Sequence, residues 1–157
     1  AGLAKIERLR LGGRNISNLL ETLSFGAFNR AFKPNRTEKD WLSRDHGVVD
    51  TYIADPMCGG AISTQSWYDF LRGLAQLFTP KALAQIDKEL PVYLFAGELD
   101  PVGKQGKGVK KFREMLKRAG IKQVDLKLYA EGRHEMINET NRTEVYGDIL
   151  KWLQARF

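Results

Sequence analysis

Residues 91–135 constrain this chain more than any other stretch. Pro91-Val92-Tyr93-Leu94-Phe95 and Val124-Asp125-Leu126-Lys127-Leu128-Tyr129 are short β-rich runs that read as strands, apolar all round. Between them, Val109, Phe112, Leu116 and Ala119 recur at helical spacing from Gly106 to Ala119, and Gly120 supplies a stop. A strand, a crossover helix and a strand make a right-handed parallel unit. A parallel sheet is normally covered on both faces and is rarely only two strands wide. The two runs therefore demand further strands, and the residues before them offer none.

Everything else reads as helix. Ile16, Leu19, Leu20 and Leu23 share one face, with Asn15 or Ser17 as cap and Gly26 as stop. Phe25, Phe28 and Phe32 follow, then a turn at Lys33-Pro34. Thr37-Glu38-Lys39-Asp40 has the form of a capping box, which predicts a helix whose apolar face begins at Trp41-Leu42. Ser63 or Thr64 starts a helix with Trp67, Phe70, Leu71, Leu74 and Leu77-Phe78 on one side. Thr79-Pro80 begins a short one, and Val145, Ile149, Trp152 and Leu153 mark a closing one. The aromatic density before residue 70 reads as core packing or as the lining of an apolar channel.

Each apolar run ends in a turn bearing a group able to move or orient a proton: Asp100 after the first, His134 after the second. In open α/β sheets ligands bind at the carboxyl ends of strands, so both groups can reach one crevice. A carboxylate that fixes an imidazole tautomer and a histidine that relays a proton are two members of a Ser-His-Asp triad. Their order, acid then histidine, is that of the α/β-hydrolases. No Gly-x-Ser-x-Gly occurs; Ser24, in Leu23-Ser24-Phe25-Gly26, is the nearest approach, and no strand precedes it. The chain thus offers no nucleophile.

Other chemistries fit poorly. Gly97 and Gly103 enclose five residues where a phosphate loop has four, and Gln105 stands where Ser or Thr should bind magnesium. His134-Glu135 lacks the second histidine of a metalloprotease helix. One cysteine and two histidines predict no metal and no cofactor, and Cys58 reads as a small buried residue. The net charge of +6 includes Lys104, Lys107, Lys110, Lys111, Arg113, Lys117 and Arg118, all assigned to one helix. Without interleaved aromatics these read as a solvated face, so no nucleic acid is expected. No apolar run approaches the length of a transmembrane segment. Sequons at Asn138 and Asn141 would place glycans beside His134, which favours a cytoplasmic protein over a secreted one.

The chain resembles the C-terminal half of an α/β-hydrolase of the lysophospholipase and monoacylglycerol-lipase type, the group with a serine-aminopeptidase-like fold. Leu94-Phe95-Ala96-Gly97-Glu98-Leu99-Asp100-Pro101-Val102-Gly103 is similar to that family's acid-bearing strand and turn. Leu128-Tyr129-Ala130-Glu131-Gly132-Arg133-His134-Glu135, with Ile137-Asn138-Glu139, is similar to its histidine segment. Phe25-Gly26-Ala27-Phe28-Asn29 and Thr37–Asp45 look like its helical cap. The resemblance implies a partial α/β-hydrolase fold. Residues 1–62 would be the cap, and residues 63–157 the C-terminal part of the core, a parallel β-α-β-α unit. The N-terminal strands and nucleophile elbow would be missing.

It also implies that Asp100 is the triad acid and His134 the general base, acting on a lipid-like or small ester. The parent would then be a carboxylic ester hydrolase, and this chain alone inactive. An N-terminal fragment, or a second copy, would complete the sheet. The alternative is a non-catalytic assembly or binding piece.

Overall fold

The computed structural model describes residues 1–156; Phe157, the last residue of the second region, lies outside them. Six helices come first: α1 (Gly2–Leu11), α2 (Asn18–Leu23), α3 (Phe25–Arg30), α4 (His46–Ala54), α5 (Thr64–Leu77) and α6 (Pro80–Ala84). Then follow β1 (Val92–Gly97), α7 (Lys107–Arg118), β2 (Val124–Tyr129), a 3₁₀ turn at Met136–Asn138 and α8 (Arg142–Gln154).

The strands pair in parallel, from Val92 opposite Val124 to Gly97 opposite Tyr129. A helix covers each face. Leu116 of α7, Leu83 of α6, Ile121 and Val124 form one buried cluster, joined by Val92 and Leu94. Tyr129, Met136 and Val145 form another on the α8 side, joined by Phe95 and Ile149. Burying a side chain such as Leu116 contributes about 1.5–3 kcal/mol. α7 ends in a Schellman motif: the Gly120 amide donates to the Lys117 carbonyl at 2.9 Å and that of Ile121 to Leu116 at 3.2 Å. Gly120 takes φ +94°, a left-handed conformation that favours glycine.

Five local expectations need correction. The runs are not both apolar all round: on the α8 face, β2 carries Asp125 and Lys127. These are satisfied by Trp152 and Arg156, and by Glu144 and Asp148. Gly26 does not stop a helix; it lies inside α3, and the break falls at Ser24, whose hydroxyl bonds the Leu20 carbonyl at 2.6 Å. No helix begins at Trp41: the Asp40 carboxylate caps a turn by accepting from the Arg36 and Thr37 amides, and the next helix, α4, is capped by Asp45. Lys104 precedes α7, in a left-handed turn. Cys58, expected to be buried, is half-exposed.

The first helices also have a buried cluster of their own. Ala4 of α1, Leu20 of α2 and Trp67 of α5 are buried together, with Phe25, Ile62, Tyr68 and Leu71 around them. Much of the α5 stripe stays open: Phe70, Leu77 and Phe78 are exposed. No helix of the described residues is long and apolar enough to cross a membrane.

Candidate active site

The turns that follow the two strands are stitched together. The Glu98 amide donates to the Tyr129 carbonyl and the Leu99 amide to that of Gly132, both at 2.9 Å. Gly97 and Gly132 lie back to back. A Cβ at Gly97 would sit 2.1 Å from the Gly132 carbonyl oxygen, and one at Gly132 would sit 2.5 Å from the Met136 sulfur. Only glycine permits this approach, and it brings both turns into one site.

Asp100 is buried, and its carboxylate closes its own turn. Oδ1 accepts from the Val102 amide at 2.9 Å and Oδ2 from that of Gly103 at 3.2 Å. Oδ1 is also 3.1 Å from His134 Nδ1. An ionised carboxylate only accepts, so the neutral imidazole carries its proton on Nδ1 and leaves Nε2 as a free base. About 36% of the His134 side chain is exposed, so Nε2 can be reached from outside. The ring borders a cleft of about 480 Å³ with Phe95, Ala96, Val109, Met136 and Ile137 as apolar wall and Glu135 and Asn138 as polar edge.

The histidine loop is held from far back in the chain. The His134 amide donates to the Trp41 carbonyl at 3.3 Å and the Glu135 amide to that of Leu42 at 2.8 Å. The Arg133 guanidinium bonds the carbonyls of Asp40 and Ser43 and lies over the Phe32 ring. Burial pushes its pKa down, against the pull of Glu139 and Asp40.

Glu139 is fully buried. Its Oε1 accepts from the Arg44 amide at 3.1 Å and the Arg133 amide at 3.0 Å. Its Oε2 accepts from Arg44 Nε and the Thr140 amide, both at 2.9 Å. Burial opposes ionisation there, but these bonds outweigh it and hold the carboxyl below its ordinary range. Asp40 shows the same balance: burial opposes its charge, and bonds from Thr37 and Arg36 win.

Asp100 and His134, inferred separately from sequence, are thus brought together. Within the aromatic group, core packing is seen at Trp41. Trp41 is buried behind the imidazole, 5.1 Å between ring centroids, with Phe25 and Phe28 packed on it. Phe25 faces a separate hollow with Glu21, Asn29 and Lys39. Glu139, Arg44 and the glycine pair were not singled out from sequence as supports of the site. A glycine two or three residues past each predicted strand was the one available signal.

The residues 5–141 match the family model described as serine aminopeptidase, S33. No curated protein sequence matches. Among solved structures, a thermostable carboxyl esterase from Bacillus coagulans, in complex with glycerol, is similar at 24% identity and TM-score 0.86, over 98% of this chain and 50% of its own. A lipase in its open form is 27% identical, TM-score 0.78, over 99% and 51%. A monoglyceride lipase from Saccharomyces cerevisiae is 21% identical, TM-score 0.65, over 92% and 54%. The chain therefore spans about half the length of the structures it matches and carries part of an α/β-hydrolase fold. With the matched segment running from the first helix to the residues just past Glu139, the chain belongs to the serine aminopeptidase S33 family of hydrolases.

Proposed function

We propose that this chain is the acid–base half of a serine ester hydrolase, with Asp100 as the orienting acid and His134 as the general base. The observation that carries the reading is the Asp100–His134 hydrogen bond beside an open, largely apolar cleft. Asp100 fixes the imidazole, and Nε2 takes the proton of a serine supplied by a Gly-x-Ser-x-Gly segment outside this sequence. The serine oxygen attacks the ester carbonyl, His134 returns the proton to the departing alcohol, and water then hydrolyses the acyl-enzyme by the same route. The similar fold of a solved esterase and two lipases supports a carboxylic ester, lipid-like or small, as the substrate class. Residues 1–62 serve as lid, and α5 forms the floor on which α1 and α2 rest. A cytoplasmic location belongs to the same reading.

This chain alone should lack triad turnover, since it carries no nucleophile elbow. The test is to join it to a family N-terminal segment bearing Gly-x-Ser-x-Gly and follow hydrolysis of a short-chain aryl ester. Turnover should appear and fall on the order of 10⁴-fold or more with His134→Ala. Equal turnover with and without His134 would reject the assignment.

A second reading has its own support. Among the described residues β1 pairs only with β2, so its other edge is open, and large apolar side chains stand exposed on α1 and α5. A non-catalytic piece that binds an N-terminal fragment, or a second copy, through that edge would share these features. The same joined construction separates the two: assembly without hydrolysis would favour it.

A further inference from the structure

We propose that Glu139, clamped to Arg44, is a positioning residue for His134: it locks the histidine loop to the segment 40–44 and so sets the imidazole against Asp100. Three successive loop amides, those of residues 133, 134 and 135, donate to Glu139, Trp41 and Leu42 in turn. Glu139 therefore holds the residue immediately before the histidine. Through Arg44 it also holds the segment 40–44 that receives the histidine and the residue after it. Both of its oxygens are saturated by donors. The carboxylate is wholly buried and does not touch the His134–Asp100 cleft, so it acts only through the loop.

Glutamine is close in shape but turns one acceptor into a donor. Whichever way the amide lies, its NH₂ meets either the Arg133 and Arg44 amides or Arg44 Nε and the Thr140 amide. Conservative replacement should therefore fail to preserve the loop. Arg44→Met removes the guanidinium bonds to Glu139, Glu131 and Asn141 while leaving the backbone amides on Glu139, and should loosen the loop less.

The inference rests on the acid–base reading only in calling His134 the base. It can be tested on this chain as it stands, by ¹⁵N NMR of histidine-labelled protein at neutral pH. The sequence has two histidines, so His46, on the far side of the Asp45 cap, serves as internal control. In the parent, His134 should show one protonated and one unprotonated ring nitrogen, with a slowly exchanging Nδ1 proton. Glu139→Gln should lose that proton signal and average the two nitrogen signals, with His46 unchanged. Arg44→Met should shift them part of the way.

A folded Glu139→Gln with His134 signals identical to the parent would overturn the proposal. Should Glu139→Gln fail to fold, an unchanged His134 in Arg44→Met would overturn it, and a shifted one would support it. A parent that lacks the single Nδ1–H tautomer would instead contradict the Asp100–His134 pairing itself.

Discussion

Asp100 sits in a turn that closes on itself: its carboxylate accepts amides two and three residues ahead, and a proline follows it. His134 sits in a loop whose neighbouring amides find their acceptors in residues 41–42 and in the buried Glu139. Both turns follow parallel strands and meet across Gly97 and Gly132, yet one is built locally and the other from across the fold. Charge-relay geometry needs both groups placed to a fraction of an ångström, so the less local loop is where the site is most easily lost.

The largest expected effect breaks both turns at once. Gly97→Ala pushes a methyl into the Gly132 carbonyl, and backbone must move. We expect a loss of about 3 kcal/mol or more in urea unfolding. Glu139→Ala breaks only the histidine side, leaving Arg44 Nε and the amides of Arg44, Arg133 and Thr140 without their acceptor; about 3 kcal/mol is expected by the same measurement. On the acid side, Asp100→Asn keeps one acceptor oxygen for the local turn and should cost about 1 kcal/mol. Equal costs for the last two would dissolve the distinction between a local and a long-range turn.

Acid sharpens the comparison less strongly. Glu139 and Asp40, which secure the histidine side, ionise more readily folded than unfolded. The unfolded chain then binds more protons, so their stabilisation is complete above the ordinary carboxyl range and is lost as pH falls through their depressed values. Glu7, bonded by Arg10 and Ser17, is pushed down to about 2 and marks the lower end of the window. The urea midpoint should fall between about pH 5 and pH 2, and Asp40→Asn should flatten that decline. An unchanged slope would remove Asp40 from the account.

The same contrast explains what could be read from sequence. The two strands and the helix between them, each taken as an element, the stop at Gly120 and the turn at Asp100 depend on neighbours within a few residues, and each is legible as pattern. The capping-box form at Thr37–Asp40 misled because the Asp40 carboxylate caps a turn just as well as a helix. β2 read as apolar all round because the partners of Lys127 and Asp125 lie on α8 and just after it. Glu139 and Arg44 sit far apart in the chain, and neither spacing nor composition announces a clamp between them. His134 was legible as a residue type at a strand end; the seat beneath it was not.

We propose that Asp100 and His134 are an acid and a base that await a serine from elsewhere. The decisive experiment is the hydrolysis of a short-chain aryl ester by this polypeptide alone, with and without a serine-directed phosphonate. No turnover above buffer and no covalent label are expected. Turnover that the phosphonate abolishes would contradict the proposal.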